Sequence, residues 1–406
     1  MNLFVMAWRN IWRNQRRTLV TVAAMGLALF VELVYSGLIQ GILENMQDDF
    51  IELETGHLQV HTPAFLDQPS LHEFLPDAEA ILARIDDLGY PAAPRLIGGG
   101  LAASGEFSSG VTLRGLDPAR ESGITRLAAH VQEGVWLDPA DPKGVVVGRG
   151  LARTLSLGIG GELIVLSQGT DGSVCNDLYT VRGVLGSVAS GTDRGTVFML
   201  ADAFRELLVL PDGAHEIVVR RPPEVTLDDA KAAVEGVAGE GARVMTWREI
   251  QPVVGQMLDS TEAMMTVIYL ILYLAVAILV LNAMLMAVFE RIREFGVLKA
   301  IGAGPFRVFG LILVESLLQA ALATVVGGAL AAPAIWFMAT RGIDVGAIGG
   351  IDMMGVALRP IWQGIYTPQN LRLPVILLFV IVTLAVLYPA LKAARIQPVQ
   401  AMRQNR

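Results

Sequence analysis

The sequence predicts a membrane protein with four transmembrane α-helices and a large α+β periplasmic domain inserted between helices 1 and 2. Two observations predict this class: four long apolar runs, and a polar block of some 220 residues that separates the first run from the other three. The runs are Thr18 to Leu38, Met264 to Phe289, Val308 to Met338 and Leu373 to Leu391. About 20 apolar residues at about 1.5 Å of rise each cross a hydrocarbon core of about 30 Å, so every run can span.

The first 17 residues mix apolar and basic side chains. Such a segment is typical of a helix that lies in the membrane interface, with tryptophan at headgroup depth. A simple topology anchor is the alternative. The following apolar run is longer than the core of about 7 to 15 residues in a signal peptide, so we interpret it as a retained span. The residues concerned are Leu3, Trp8, Ile11 and Trp12 among Arg9, Arg13, Arg16 and Arg17.

The orientation follows from basic residues near the span ends, because short basic segments stay in the cytoplasm. Three segments are basic, so they and both termini are predicted to be cytoplasmic, while the polar block faces the other side. The residues are Arg9, Arg13, Arg16 and Arg17; Arg291, Arg293, Lys299 and Arg307; and Lys392, Arg395, Arg403 and Arg406.

This topology divides the chain into nine predicted segments. They are an interfacial helix 1–17, a first span 18–40, a periplasmic domain 41–260, a second span 261–289, a cytoplasmic helix 290–305, a third span 306–339, a short periplasmic loop 340–372, a fourth span 373–391 and a cytoplasmic tail 392–406.

Charge and cysteine content limit the function of the outer domain. Residues 41–260 hold 16 basic and 32 acidic side chains, whereas the remainder holds 15 and 7. An acidic soluble domain argues against nucleic acid as a partner, because phosphate binding needs a basic face. Cys175 is the single cysteine, so an intrachain disulfide is excluded and the domain depends on its own core.

The outer domain shows mixed patterns. Apolar alternation or short apolar runs predict strands, helical spacing predicts helices, and the proline-rich stretches Pro91 to Pro94 and Pro222 to Pro223 predict loops or boundaries between two lobes. The strands are His57 to His61, Gly144 to Val147, Glu162 to Leu166, Leu178 to Leu185, Thr196 to Leu200 and Glu216 to Arg220, and the helices are Leu75 to Leu88 and Arg149 to Leu157.

Several motifs for chemistry are incomplete. Gly148-Arg149-Gly150 lacks the third glycine and the acidic ribose partner of a dinucleotide site, and the chain has no phosphate-binding P-loop. If ATP drives the protein, another subunit binds it. His57 and His61 would share a strand face, but no third metal ligand is evident, so solvated or half-buried histidines are the better interpretation. No nucleophile, base and acid set emerges, so a stand-alone enzyme is the weakest alternative.

The segment between the second and third spans carries the most specific pattern. Its sequence, Phe289 to Ala303, predicts a short amphipathic helix that ends at Gly302 and Gly304-Pro305. Its apolar positions are Ile292, Phe295 or Val297, Leu298 and Ile301. A helix lying on the membrane surface is the alternative interpretation.

This segment resembles the coupling-helix motif of the permease superfamily that includes the MacB exporter, FtsX and the LolC/LolE lipoprotein-releasing permeases. The resemblance covers nearly the whole chain, with Gly161 as a departure at a position where the family often has Asp. Its other residues are Ala7 to Asn14 with Arg17-Thr18, Val147 to Ala152, Leu157 to Glu162, Val181 to Val184, Glu315, and Tyr388 to Arg403.

The resemblance implies an ABC permease subunit, not an enzyme itself, that pairs with a second permease subunit, identical or paralogous. A separate ATPase dimer would bind ATP and Mg and receive the coupling helix in a groove. The coupling residues would be Arg291, Arg293, Glu294, Phe295, Gly296, Leu298, Lys299, Ile301 and Gly302.

Two carboxylates, Glu32 and Glu315, fall inside apolar spans, where a charge is costly and usually faces the protein interior. For Glu32 we weigh snorkelling to water against a role in lining a lipid-entry groove. For Glu315 we favour interhelical packing or coupling over proton carriage. In the third span, Gly327, Gly328 and Ala332 would allow close packing against a neighbouring helix.

The architecture is most similar to LolC/LolE, because the chain lacks its own ATPase and has a large outer domain. This resemblance implies a multi-pass protein of the bacterial inner membrane that contacts membrane lipid. It also implies that the protein extracts lipoproteins or similar lipidated cargo from the outer leaflet, with or without a periplasmic acceptor. The alternatives are an efflux permease for small amphiphiles or peptides with an outer-membrane partner, and an FtsX-like non-transporting regulator of a cell-wall hydrolase.

Overall fold

The computed structural model describes residues 3–67, 69–186, 190–344, 352–353, 356–357 and 361–397. The chain forms two compact units, which we call the membrane unit (Met1–Glu44, Leu258–Val345 and Pro360–Arg406) and the outer unit (Asn45–Met257 and Gly346–Arg359). Arg403 and Arg406 of the predicted tail, part of the predicted loop 340–372, and the end of the family motif from Pro398 lie outside the described residues.

The helices follow the chain in this order: α1 (Leu3–Arg13), α2 (Gln15–Phe50), α3 (Pro63–Asp67), α4 (Ala78–Asp87), α5 (Pro118–Glu121), α6 (Arg149–Thr154), α7 (Ser190–Gly195), α8 (Ala201–Leu208), α9 (Leu227–Ala238), α10 (Trp247–Ile250), α11 (Pro252–Glu290), α12 (Ile292–Ala300), α13 (Pro305–Thr340) and α14 (Pro368–Arg395). A π-helix (Ile51–Thr55) continues α2, and a 3-10 helix covers Leu127–His130.

The strands are β1 (Leu58–His61), β2 (Ala92–Ser104), β3 (Phe107–Leu116), β4 (Val131–Gly134), β5 (Gly144–Gly148), β6 (Glu162–Gln168), β7 (Val174–Leu185), β8 (Thr196–Leu200), β9 (Glu216–Val219), β10 (Arg243–Thr246), β11 (Ile343–Asp344), β12 (Asp352–Met353), β13 (Val356–Ala357) and β14 (Ile361–Trp362).

Four helices of the described chain, α2 with its π-helical extension, α11, α13 and α14, are long and apolar enough to cross a membrane. A β-rich unit lies between the first and the second of them in sequence. The predicted fold class is therefore confirmed. The helices extend past the apolar runs, since α2 continues to Phe50 and α11 already begins at Pro252.

The core of the membrane unit forms where the four long helices pack together. Their buried side chains are mainly aliphatic, including Met25 and Leu29 on α2, Val280 on α11 and Val382 on α14. The backbones of α2 and α13 come close together at two glycines, where a Cβ on Gly327 would lie 2.6 Å from the backbone oxygen of Gly26. Small residues allow such close backbone contact between membrane helices.

Only the first of the three small residues expected to pack on α13 makes that contact. A Cβ on Gly328 would meet open space, and Ala332 is exposed. The prediction for these two residues is wrong within this chain, because they lie on the side of α13 that turns away from α2.

Replacing Gly327 with leucine is expected to destabilise the membrane unit by about 1–3 kcal/mol, because the added side chain would overpack the α2–α13 contact. The measurement is the thermal unfolding midpoint of the purified chain in detergent. Gly328→Leu is the matched control, since its Cβ meets nothing within 4 Å. Equal midpoints for the two variants would contradict the close contact.

The outer unit is built on one ten-stranded mixed sheet with the order β10-β1-β9-β2-β3-β8-β5-β7-β4, and β6 pairs with both β2 and β7. Antiparallel pairing predominates, with parallel contacts between β3 and β8 and between β5 and β7. The six strands and two helices predicted from sequence are present with shifts of a few residues at their ends.

The longest antiparallel pair, β2 with β3, was not predicted, and the assignment of Pro91 to Pro94 to a loop is wrong from Ala92 onward, where β2 begins. Pro94 lies opposite Ile217 of β9, before the pairing with β3 begins at Arg95. Proline cannot donate a ladder hydrogen bond, so a position with one neighbouring strand accommodates it. The glycines Gly98 to Gly100 conceal the strand pattern in the sequence.

Two large, separate hydrophobic clusters pack on this sheet, in agreement with the alternative of two lobes. In one cluster, the helices α4 and α9 pack on β1 and β9, with Leu82 and Ile217 among the buried side chains. In the other cluster, α6 and α8 pack on the strands from β2 to β8, with Phe198 and Phe204 fully buried. The two lobes share a continuous sheet.

Candidate functional site

The short helix α12 lies between α11 and α13, at the end of the membrane unit that also carries α1. We call this the basic end. A turn at Arg291 separates α12 from α11, and Ile301 and Gly302 terminate it. Gly302 has φ +97°, a conformation that side-chain-bearing residues rarely adopt, and the Ala303 N–H donates to the Leu298 carbonyl at 2.9 Å. The predicted stop at Gly302 thus has the geometry of a glycine C-cap.

An ion pair connects the start of α12 with the interior of α13. The Nη1 of Arg291 lies 2.9 Å from Oε2 of Glu315, whose side chain is 3% exposed. Asn10 of α1 donates to the same oxygen at 3.4 Å, and the Arg291 guanidinium also lies 5.3 Å from the centre of the Phe295 ring. Glu315 therefore faces the protein interior and contacts both α1 and the residue that precedes α12.

Two further ion pairs join α1 and the start of α2 to the same region. Arg13 Nη2 lies 2.5 Å from Glu294 Oε1, Arg17 Nη1 lies 2.9 Å from Glu290 Oε2, and Glu294 also pairs with Arg291 at 3.0 Å. We call these five residues with Glu315 the ion-pair network. Sequence reasoning missed the contacts of Arg13 and Arg17, because more than 270 residues separate each from its partner.

Hydrogen bonds hold two members of the network, Glu294 and Arg13, in their charged forms. Partial burial alone would raise the pKa of Glu294, but hydrogen bonds from Arg13 and Arg291 outweigh it and hold that pKa below its ordinary value. The hydrogen bond to Glu294 likewise raises the pKa of Arg13. Both side chains therefore stay ionised near neutral pH.

The predicted coupling residues separate into two sets by the direction of their side chains. Phe295 is 1% exposed and Gly296 is buried, so these two fix α12 to the bundle. Lys299 also points inward, because its Nζ donates to the carbonyl oxygens of Ala394 and, at 2.8 Å, Ile396. Leu298 is half-buried.

The second set forms the outward surface of this region. Arg293 is exposed, Ile301 is 76% exposed, and Phe306, which the sequence did not single out, is 88% exposed. Val297 is exposed as well. A partner that binds this end of the chain would meet these apolar side chains, and an arginine beside them.

A second candidate feature is an apolar groove between α2 and α11, with a volume of about 310 Å³. All of its lining side chains are apolar, and we call it the α2–α11 groove. They are Ala24, Met25, Leu27, Ala28 and Val31 from α2, and Leu272, Ala275, Val276 and Leu279 from α11.

Glu32 follows directly after the α2–α11 groove but does not line it. Its side chain is 2% exposed, so it is enclosed by the bundle and does not reach water by snorkelling. Neither carboxylate oxygen has a hydrogen-bond partner among the described residues. The nearby Tyr273 hydroxyl donates instead to the Pro374 carbonyl at 2.7 Å. A buried carboxyl group therefore lies inside the span, beside the Tyr273 hydroxyl.

In the outer unit, the π-helix after α2 is fixed by its polar groups. Glu52 Oε2 lies 3.0 Å from Arg126 Nε, and the Glu52 carbonyl accepts from the Arg126 N–H at 2.8 Å. Glu54 pairs with Arg114 of β3 at 3.6 Å. We call Glu52 and Glu54 with these partners the junction cluster. π-Helical turns are rare and are frequently found at functional sites.

Arg95 of β2 extends the junction cluster into the core of the outer unit. Its Nη1 donates to the Glu54 carbonyl at 2.6 Å and lies 3.2 Å from Glu216 of β9. Its Nη2 lies 2.6 Å from Glu121 of α5, and the Thr125 hydroxyl donates to the same carboxylate. These three charged side chains are buried.

Three histidines of the outer unit are held neutral by burial. Burial, followed by the charges of Arg221 and Arg220, lowers the pKa of His57 to about 4. Burial also lowers the pKa values of His61 and His215. His215 Nδ1 accepts from the Ile97 N–H at 3.1 Å, which fixes the neutral tautomer.

These histidines predict acid sensitivity. A histidine in the unfolded chain has a pKa of about 6.5, so below that pH the unfolded state binds protons that the folded state rejects. The free energy of unfolding is therefore unaffected by these histidines well above pH 6.5. It falls as the pH decreases from 6.5 toward about 4, the pKa of His57 in the folded chain. The lowered pKa of His57 alone is expected to reduce the free energy of unfolding by about 2 kcal/mol at pH 5 relative to neutral pH.

The measurement is hydrogen exchange of the outer strands in the intact chain at pH 7.5 and pH 5, with the rates corrected for intrinsic exchange. Protection should be lower at pH 5, and His57→Gln should reduce the difference. Unchanged protection between the two conditions would contradict the prediction.

Comparison with known proteins matches two family profiles to this chain. The MacB-like periplasmic core domain matches residues 18–237, and the FtsX-like permease C-terminal domain matches residues 266–398. The lipoprotein-releasing system transmembrane protein LolC of Neisseria meningitidis serogroup B is 22% identical over 408 residues, which cover 95% of this chain and 94% of that protein.

Two solved structures are similar to part of the chain. The periplasmic region of MacB from Actinobacillus actinomycetemcomitans has a TM-score of 0.36 and 13% identity, covering 52% of this chain and 97% of that one. The extracellular domain of the ABC-type transporter YknZ from Gram-positive bacteria has a TM-score of 0.34 and 13% identity, covering 47% and 100%.

Proposed function

The chain belongs to the MacB/FtsX-like family of ABC-transporter permeases, and we propose that it extracts lipidated cargo from the outer leaflet of the inner membrane. Family membership implies a partner ATPase and a second permease subunit. The multi-pass architecture fits an inner-membrane protein. We further propose that the basic end, with both termini, is cytoplasmic, because short basic segments are retained there.

The α2–α11 groove is the observation that carries the proposal. It is apolar throughout, lies within two membrane spans, and has a volume of about 310 Å³. A polar or charged solute in this groove would lose hydrogen bonds to water and gain none in return, whereas an acyl chain has no such hydrogen bonds to lose. The similarity to LolC, a lipoprotein-releasing system protein, supports lipoprotein as the cargo class.

In the proposed mechanism, ATP binding by the separate ATPase moves the basic end. The outward set of side chains at Arg293, Ile301 and Phe306 contacts the ATPase, and the inward set with the ion-pair network passes the displacement to α1 and α13. ATP and Mg act on the ATPase, so this chain supplies no catalytic group. Acyl chains leave the groove when the long helices move.

The test is retention of acylated proteins by the complex of this chain with its ATPase, purified from native membranes and identified by mass spectrometry. We expect acylated proteins before ATP addition and their loss when ATP is trapped in a hydrolysis-deficient ATPase. Recovery of a cell-wall hydrolase or an outer-membrane channel without acylated protein would instead favour regulation or efflux.

A variant that fills the groove sharpens this test. Ala28→Trp is expected to reduce retained acylated protein by at least about tenfold, equivalent to about 1.4 kcal/mol. Val325→Trp on α13 is the matched control, because Val325 is exposed and lies outside the groove. Equal retention by both variants would show that the groove does not hold the cargo.

A further inference from the structure

A second cavity, of about 490 Å³, lies at the basic end and is distinct from the α2–α11 groove. Parts of α1, α12 and α13 enclose it, and we call it the α1–α12 cavity. Its volume falls within the range of about 300–1,000 Å³ that is typical of small-molecule sites. Its walls are Leu3, Met6, Leu298, Ile301, Gly302, Ala303, Arg307, Val308 and Leu311.

Arg307 is the one charged side chain among these lining residues. It is exposed, and no carboxylate pairs with its guanidinium within the part of the chain that the structure describes. Arg13, Arg17 and Arg291 at the same end each pair with a glutamate. A positive charge is therefore available beside a cavity whose other lining side chains are apolar.

The helix α1, which forms one wall, has the surface of a helix in contact with lipid. Trp8 and Trp12 are exposed, with ring centres 5.9 Å apart, and Phe4 beside them is also exposed. Ala7 and Ile11 on the other side of α1 are buried in the bundle. Tryptophan prefers the boundary between headgroups and acyl chains, which places the cavity at headgroup depth.

We propose that the α1–α12 cavity binds an anionic phospholipid, whose phosphate pairs with Arg307 and whose upper acyl chain contacts Leu3, Met6 and Leu311. Charge complementarity selects this occupant, because basic pockets between membrane helices on the cytoplasmic side favour anionic headgroups. The aliphatic walls match the remainder of the lipid, and the lipid-facing helix α1 gives it direct access from the bilayer.

The bound lipid would influence the coupling between the ATPase and the membrane helices, because residues at the end of α12 form part of the cavity wall. Leu298, Ile301 and Gly302 contact the space that the lipid fills, so its presence limits how closely α1 and the end of α12 approach each other. This consequence rests on the proposed coupling role of α12. The lipid site itself does not depend on that role.

The test uses the full chain with its ATPase, reconstituted into nanodiscs of equal parts phosphatidylglycerol and phosphatidylcholine without cargo or ATP. After extraction, native mass spectrometry counts the lipids that stay bound. The wild-type protein is expected to retain phosphatidylglycerol preferentially. Arg307→Gln is expected to reduce that retention about fivefold, as for the loss of one arginine near an anionic lipid.

Two further variants make the result specific. Arg16→Gln is the matched control, because Arg16 is exposed at the same end but does not line the cavity, and it should retain phosphatidylglycerol as the wild type does. Leu311→Trp should displace the lipid by filling the cavity. If Leu311→Trp does not fold, Arg307→Gln still decides the question.

Equal retention by Arg307→Gln and the wild type, an equal loss in Arg16→Gln, or no preference between the two lipids would each overturn the proposal. The readout is independent of cargo, so a failure of lipoprotein release leaves it intact. Conversely, a failure of lipid retention leaves the cargo experiment with Ala28→Trp unaffected.

Discussion

Replacing Arg95 with methionine is expected to lower the free energy of unfolding of the outer unit by about 3–5 kcal/mol, the range for breaking a buried ion pair from one side. Arg95 is 1% exposed and lies 2.6 Å from Glu121 and 3.2 Å from Glu216. Removing the cation leaves two buried carboxylates that repel each other. It also removes the donor to the Glu54 carbonyl.

The measurement is denaturant-dependent hydrogen exchange of β2 and β9 in the intact chain. Arg84→Met is the control, because the Arg84 side chain is exposed and, among the described residues, donates only to the Ala80 carbonyl of its own helix. This variant should change stability by less than about 0.5 kcal/mol. The double variant Arg95→Met with Glu121→Gln should recover part of the loss, since it removes one of the unpaired charges.

A loss below about 1 kcal/mol in Arg95→Met would mean that water reaches the cluster and hydrates the carboxylates. The cluster would then be a surface network, and its contribution would be as small as that of exposed ion pairs.

The second large effect is expected at the basic end, where Arg291→Ala should reduce ATP-driven cargo release by at least about tenfold, or about 1.4 kcal/mol. The substitution leaves Glu315 buried without its cation and removes one of the two arginines that hold Glu294. The start of α12 is then no longer fixed to α13. ATP hydrolysis by the partner should continue, so the variant is expected to be uncoupled.

Release and hydrolysis are measured together on the reconstituted complex. Arg16→Ala is the control for losing a positive charge at the same end, since Arg16 of α2 is exposed and belongs neither to the ion-pair network nor to the outward set of side chains. The exchange variant Arg291→Glu with Glu315→Arg should restore part of the release. Full release by Arg291→Ala would show that the ion pair stabilises the resting structure without taking part in transmission.

The membrane part of the fold could be predicted from the sequence because lipid allows few alternatives. A spanning segment must satisfy its own backbone hydrogen bonds, so a long apolar run at this spacing implies a helix. The end of α12 was equally predictable, because Gly302 supplies the positive φ that a helix C-cap needs. Both inferences depend on local chemistry.

The contacts that build the candidate site depend on distant residues and leave no local pattern. Arg13 with Glu294, and Arg95 with Glu216, pair across 281 and 121 positions of the chain. The nine residues of α12 carry apolar side chains on both faces, so the sequence did not show that Phe295 points inward and Val297 outward. The strand β2 could not be predicted for the same reason. Its residues have a weak intrinsic preference for a strand, and it forms because it pairs with β3 and β9.

The junction cluster has a mechanical consequence for the outer unit. The π-helix contacts β2 through Arg95, β3 through Arg114, and the end of β9 through Arg220, all by charged groups on Glu52 and Glu54 or their carbonyls. Any displacement of the π-helix backbone is therefore applied to three strands at once. These strands, β9, β2 and β3, are neighbours in the interior of the sheet order, so the displacement would load the middle of the sheet and not an edge strand.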